Sequence, residues 1–345
     1  MRHEQVTVRR GTRSGLPIAV AVHSRALGPA VGGVRMRRYA DWRDGVEDAL
    51  RLSEAMTYKT AAAGLPFGGA KSVIALGPDT EPTPRLRQAA LEDLGDLIEE
   101  LGGGYTAGPD VGTGPADMAV LRTRTTHVVC LPEEQGGTGS SSGPTAAGVV
   151  AALRAAARAV LGTESLTGRT VLISGYGSVG ALVARALTDA RVLVSDIDPA
   201  KQEEAGQDGH GWIRPEDVLK TRCDIFVPAA VGGILTPDTV PGLACRLIVG
   251  PANNQLTDDS VADLLAARGI TYVPDFVASA GGVIYITSRD LLGLSHEDAY
   301  ARVTALGATV GSLLAEPRPP LRAALSLAEV RLTGAERTNE HLMAI

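Results

Sequence analysis

The most specific chemistry in the chain lies in Gly175-Tyr176-Gly177-Ser178-Val179-Gly180. These residues follow an apolar run, Thr170 to Ser174, open a stretch of helical periodicity, and stand 21 residues before Asp196. That context predicts a dinucleotide-binding turn: Gly175 permits the tight turn, Gly177 lets the backbone approach a pyrophosphate, and Gly180 lets the helix pack on the strand. The helix N-terminus, with Ser178 and Val179, then faces the phosphates. Asp196 accepts hydrogen bonds from the ribose hydroxyls in this reading and repels a 2′-phosphate, which favours NAD over NADP; Asp198 competes for the role. Ala229 and Asn253, at the ends of later apolar runs, are further candidate cofactor contacts, because ligands bind at the carboxyl ends of strands in such sheets.

A second group is made of charges in unusual places. Lys59 falls near the end of a predicted helix and Lys71 just after the Gly68-Gly69 turn, so two ammonium groups could converge on one cleft. Spacing alone leaves solvated surface lysines an equal reading; the small apolar neighbours without carboxylates argue against it. Gly108-Pro109-Asp110-Val111-Gly112-Thr113 holds a carboxylate in a tight turn, which is equally compatible with a plain Asx-turn. Asn253-Asn254 ends a predicted strand, and Ser279-Ala280-Gly281-Gly282-Val283 offers either close backbone approach to a ligand or a bend.

Period-two and period-3.6 patterns supply the elements that position these groups. Strands are predicted around Val6 and Val8, over Ile18 to His23, which runs into a Gly-rich stretch at Gly28 to Gly33, and over Ser72 to Leu76. Helices are predicted from Asp44 to Ala63 and from Thr83 to Leu101. After a Gly/Ser-rich linker at Glu133 to Gly143 come strands at Thr170 to Ser174, Val192 to Ser195, Ile225 to Ala229, Leu247 to Gly250 and Tyr272 to Pro274, with helices such as Val179 to Leu187 and Ser260 to Arg268 between them. That rhythm predicts an α/β chain with a doubly wound parallel sheet. From Ser295 the chain is helical, with a buried stripe at Tyr300, Val303, Leu306, Val310 and Leu313.

Composition narrows the class. The 345 residues suffice for two domains, and 44% hydrophobic content excludes a wholly disordered chain. A net charge of −6 with no basic tail excludes a dedicated nucleic-acid binder. Cys130, Cys223 and Cys245 are odd in number and far apart, so no disulfide framework or metal site is expected, and a reducing, cytoplasmic setting fits. No signal peptide is expected, since His23 and Arg25 close the apolar stretch Gly15 to Val22 with no cleavage-like end, and no membrane association, since Arg154 and Arg158 interrupt the apolar run after Thr145.

Taken in order, these segments resemble the leucine, phenylalanine and valine dehydrogenases of the glutamate dehydrogenase superfamily. The carriers are Gly32-Gly33-Val34-Arg35, the two lysine motifs, Asp110-Val111-Gly112-Thr113, Pro144-Thr145-Ala146, the glycine-rich turn, Asn253-Asn254-Gln255-Leu256 and Pro274-Asp275-Phe276-Val277. The resemblance implies an N-terminal α/β catalytic and oligomerisation domain over 1–140, an NAD-binding Rossmann domain over 141–315, a cleft between them, and a last helix over 316–345 rejoining the first domain. It implies that Lys59 binds the substrate carboxylate with Asn254, Lys71 is the general base, Asp110 holds the amino group, and Thr145 sits near the nicotinamide amide. By motif position Val31, Gly33, Gly108, Val283 and Ile286 line the substrate site. Hydride loss from Cα requires a neutral amine, and two lysines close together disfavour double protonation, which makes Lys71 a base near neutral pH.

The uncharged pocket disfavours glutamate and points to a branched-chain or related apolar L-amino acid as substrate, with a 2-oxo acid, ammonia and NADH as products. Val34, Gly108-Pro109, Pro251 and Ser279-Ala280 depart from the family's usual residues, around this pocket. A homo-oligomer is expected from the resemblance and from strand edges in the first segment. The competing readings are an inactive NAD-binding sensor or scaffold, and a 2-hydroxy-acid dehydrogenase, for which His127 and His210 have no suitable setting.

Overall fold

A computed structural model of the chain describes residues 3–343. They form two compact units: the first takes the chain up to Ser141, then Ile286–Leu294 and the chain from Leu327 on; the second takes Ser142–Tyr285 and Ser295–Ser326.

The first unit is built on β1 (Gln5–Arg10), β2 (Pro17–Ser24), β3 (Ala30–Arg38), α1 (Trp42–Ala62), β4 (Gly68–Leu76), α2 (Pro84–Glu99), β5 (Tyr105–Pro109) and α3 (Pro115–Arg122). Its five strands lie in the order β1-β2-β4-β3-β5, with β3 parallel to both β4 and β5 and β2 antiparallel to β1 and β4. All nine residues of β4 are buried, as expected of a central strand covered on both faces. One face carries α2, whose Leu91, Leu94 and Ile98 pack with Val34, Ile74 and Tyr105. The other carries α1, whose Ala49 packs with Ala19, Ala21 and Val73. Asp41 begins α1 in a reciprocal cap with Asp44, and Thr83 caps α2 ahead of Pro84.

The Gly-rich stretch at Gly28 to Gly33 leads into a strand: from Ala30 it is the start of β3. Glycine is demanded because a Cβ on Gly32 would stand 1.8 Å from the carbonyl oxygen of Ala70 in β4.

The second unit comprises α4 (Ser142–Leu161), β6 (Thr170–Ser174), α5 (Ser178–Ala186), β7 (Arg191–Ser195), α6 (Ala200–Gln207), β8 (Gly211–Trp212), β9 (Ile225–Pro228), β10 (Leu247–Ile248), α7 (Ser260–Ala267), β11 (Thr271–Tyr272), α8 (Asp275–Ala278), α9 (Gly281–Ile286), α10 (His296–Thr304) and α11 (Leu306–Ala315). Its sheet is wholly parallel in the order β11-β10-β9-β6-β7-β8. The order reverses beside β6, which places the turn after β6 at the topological switch point. The predicted terminal helix is two, α10 capped by Ser295 and α11, meeting at Ala305; α12 (Pro320–Met343) follows. Despite Arg154 and Arg158, α4 is long and apolar enough by length and composition to cross a membrane. It is a core helix instead: Val149, Leu153 and Ala156 are fully buried, and α5 and α11 pack against it.

Candidate active site

Alternation along the strands sorts the first unit's residues onto two faces. Val34 and Met36 of β3 enter the α2-side core, so Val31, Gly33 and Arg35 turn to the α1 side. Lys71 shares that side with Val73 of β4, and Gly108 of β5 stands in register with Gly33. The α1 helix approaches this face closely, because a Cβ on Gly69 would lie 2.2 Å from the backbone nitrogen of Thr57.

Lys71 is only 5% exposed, and its Nζ donates to Asp110 Oδ2 at 2.8 Å. Asp110 stands just past β5 in a turn that Thr113 closes: the Thr113 backbone nitrogen donates to the Asp110 carbonyl, and the Thr113 hydroxyl accepts from the Asp110 nitrogen at 3.0 Å and donates to the Val34 carbonyl at 2.7 Å. Gly33 makes room for the pair, since a Cβ there would lie 2.9 Å from Lys71 Nζ and 2.7 Å from Asp110 Cβ. Arg35 Nε donates to the same Oδ2 of Asp110 at 3.0 Å, and its Nη1 donates to Asp48 Oδ2 at 2.7 Å.

The electrostatics follow from that packing. Burial pushes the Lys71 pKa below its ordinary value; Asp110 opposes the shift and the Arg35 cation adds to it. For Asp110, burial acts upward, but the Lys71 and Arg35 cations outweigh it and hold the carboxyl at about 2. The reason given from sequence for a depressed Lys71 therefore changes. Burial comes first, and the opposing cation is Arg35 rather than a second lysine. Lys59 lies in the last turn of α1, half-buried. Val31 is buried, and Ile286 packs on the α2-side core.

In the second unit, Gly175 has φ +113° and a Cβ there would strike the Ala229–Ala230 peptide, while a Cβ on Gly180 would stand 2.0 Å from the Gly175 carbonyl oxygen. Gly177 differs: a Cβ there meets nothing within 4 Å. Protein packing does not require that glycine, so the open space beside it fits a pyrophosphate approached by backbone at the head of α5. Ser178 and Val179 form the first turn of α5. Asp196 follows β7, its Oδ2 accepting from the Tyr176 nitrogen at 2.7 Å and its Oδ1 from the Asp198 nitrogen at 3.0 Å. Asp198 accepts instead from the Ala200 nitrogen at the start of α6.

Thr145 sits in the first turn of α4. Asn253 and Asn254 follow β10, and Asn254 adopts φ +51°, its carbonyl accepting from the Gly233 nitrogen. Ala229 accompanies the end of β9 and Val283 is half-buried in α9. The Gly281 question is answered by packing: a Cβ there would lie 2.4 Å from the Pro144 carbonyl oxygen, so the close backbone approach is that of α4.

Lys71, Asp110 and Gly33 are thus in contact, and the glycine-rich turn and Asp196 are in contact. Sequence reasoning gave Arg35 no role and missed Asp48. Alternation from Gly33 to Arg35 along one strand was the available signal for Arg35.

Residues 3–127 match the Glu/Leu/Phe/Val dehydrogenase dimerisation domain, and residues 194–289 match the Glutamate/Leucine/Phenylalanine/Valine dehydrogenase family. A phenylalanine dehydrogenase of Lysinibacillus sphaericus is 40% identical over 83% of this chain and 76% of its own length. A leucine dehydrogenase of Thermoactinomyces intermedius is 38% identical over 88% and 82%. The crystal structure of L-tryptophan dehydrogenase from Nostoc punctiforme superposes with a TM-score of 0.80 at 33% identity, covering 97% of each chain. Two matched domain models, relatives of this identity along most of the chain, and the sheet of each unit make the chain a member of the Glu/Leu/Phe/Val dehydrogenase family, an amino-acid dehydrogenase working with a nicotinamide dinucleotide.

Proposed function

We propose that this enzyme oxidatively deaminates an apolar L-amino acid with NAD, giving the 2-oxo acid, ammonia and NADH, and runs the reverse amination. The observation that carries the reading is the buried Lys71–Asp110 pair over Gly33. Lys71 acts as general base: burial favours its neutral form, ready to take a proton from the substrate ammonium and later from water attacking the iminium. Asp110, ionised, holds the amino group and stabilises the iminium charge. Lys59 pairs with the substrate carboxylate, a role that motif position also assigns to Asn254. Gly177, Asp196 and Thr145 would hold the nicotinamide dinucleotide, which would supply the acceptor for the Cα hydride. Asp196 beside the glycine turn favours the unphosphorylated ribose, hence NAD.

The apolar preference rests on Val31, Gly33 and Gly108 on the Lys71 face; Val283 and Ile286 are assigned to the substrate by motif position alone. Arg35, the further cation on that face, already serves two carboxylates, so a second substrate carboxylate would be buried without a partner, at a cost of several kcal/mol. Leucine, phenylalanine and tryptophan in the relatives' names support the same class. We place the first unit as catalytic and the second as cofactor-binding, and assign a homo-oligomer: β1 is an edge strand with Val8 exposed, and the matched first-domain model is a dimerisation domain. The free thiols of Cys130, Cys223 and Cys245 fit the cytoplasm. The test is NADH formation with a panel of L-amino acids. Leucine, valine or phenylalanine should exceed glutamate in kcat/KM; glutamate exceeding every apolar substrate would overturn the pocket assignment.

A further inference from the structure

Arg35 belongs to none of the roles above, yet it is the cation through which the Lys71–Asp110 pair joins the rest of the first unit. Its side chain is 11% exposed, and a guanidinium remains charged there at all working pH. It uses two separate edges: Nε meets Asp110 at 3.0 Å and Nη1 meets Asp48 at 2.7 Å. Asp48, on α1, is held in turn by the Tyr39 hydroxyl at 2.8 Å and by Arg51 Nη2 at 2.6 Å. Lys71 and Arg35 share Oδ2 of Asp110, so the carboxylate is oriented from both sides by one oxygen.

We propose that Arg35 is a positioning residue for the reaction, its guanidinium fixing the Asp110 carboxylate against Lys71 and being itself fixed by Asp48. This rests on the reading of Lys71 as the base. The planar fork satisfies two carboxylates on diverging lines, which a lysine at the same place cannot reproduce. The network also has an electrostatic sense. Arg35 disfavours a proton on Lys71, whereas Asp48 and Asp110 favour one. The groups around Lys71 are Asp110 after β5, Arg35 on β3 and Asp48 on α1; β2 places uncharged Ala21 opposite it. Farther along, His23 of β2 lies 3.0 Å from the Thr57 hydroxyl and 3.9 Å from Glu54, and Lys59 ends α1.

A merely structural ion-pair chain would lower stability and kcat without moving the pH profile. The positioning role requires shifts of opposite sign. Arg35→Gln should move the acid limb of kcat/KM up by about one pH unit, since a charge within a few ångströms has that reach. Asp48→Asn, which removes a charge favouring the protonated amine, should move it down. Arg35→Lys should hold the limb near the wild-type position while kcat falls about tenfold. An upward shift for Arg35→Gln with a downward shift for Asp48→Asn supports the proposal. Any other pair of shifts overturns it, and if Arg35→Gln does not fold, the Asp48→Asn and Arg35→Lys profiles decide alone. Lys71→Ala run alongside separates the two levels: an active Lys71→Ala enzyme defeats the base assignment, whereas an inactive one with unmoved Arg35→Gln and Asp48→Asn profiles defeats only the Arg35 proposal.

Discussion

Replacing Gly33 by alanine adds a single methyl to the chain at the point where the account places the reacting groups. That methyl would meet Asp110 Cβ at 2.7 Å, Lys71 Nζ at 2.9 Å and the Pro109 carbonyl oxygen at 3.2 Å, where ordinary contact begins at 3.4 Å. The ammonium is the end of a flexible side chain and can swing, but only by leaving Asp110. Asp110 Cβ is one bond from the main chain, and its turn is tied down by Thr113, so relief there shifts backbone. The pair must part or retreat by roughly half an ångström or more, and misplacement of about 1 Å at a reacting centre costs on the order of 10²-fold in rate. The overpacking itself costs about 1–3 kcal/mol of stability, which a thermal melt would detect. Steady-state kinetics with the best L-amino acid should show kcat/KM down about 10²-fold, with NAD affinity, read by nucleotide fluorescence, within about twofold of wild type. A Gly33→Ala enzyme with kcat/KM within about threefold of wild type would refute the placement of Lys71 over Gly33 in the working site.

Three further outcomes are expected. Asp196→Ala should narrow the preference for NAD over NADP by about tenfold, since it removes charge-assisted bonds to the ribose and the repulsion of a 2′-phosphate; an unchanged ratio of kcat/KM values would count against Asp196. Gly177→Ala should leave the melting temperature close to wild type and weaken NAD binding about tenfold, whereas Gly180→Ala, whose Cβ would strike the Gly175 carbonyl, should cost about 1–3 kcal/mol of stability; equal melting temperatures would contradict the assignment. Asp189 is held at about 2 by Arg154 and by the Leu166 nitrogen, below the ordinary carboxylate value. Its contribution is full above the unfolded value near 4 and is lost as pH falls through 2, so urea midpoints of wild type and Asp189→Asn should converge as pH falls from 5 to 2.

The second unit was the more legible from sequence because its elements repeat one local grammar. Strand, glycine turn and helix lie consecutively at 170–187, and Gly180 answers to Gly175 within the same turn. In the first unit the decisive relations are between distant segments. Gly32 marks β3 only once Ala70 is known to lie beside it, and without that partner a Gly-Gly pair looks like a break. β5 and α3 were hidden for the same reason, since Gly108 and Pro109 are poor strand formers held by pairing with β3. Lys71 and Asp110 could be named because motif position carries them. Their contact, and the burial that lowers the lysine's pKa, follow from a sheet face covered by α1. Arg35 and Asp48 stand 13 residues apart on a strand and a helix, and no local periodicity links them.

The central claim is tested most directly by comparing wild type and Lys71→Ala in NADH formation from L-leucine, L-valine and L-phenylalanine, with NAD affinity measured on both proteins. The account predicts turnover by the wild type and a loss of about 10²–10⁴-fold in kcat for the variant, with NAD binding unchanged because the nucleotide residues belong to the other unit. A Lys71→Ala enzyme that keeps more than about a tenth of wild-type kcat would contradict it.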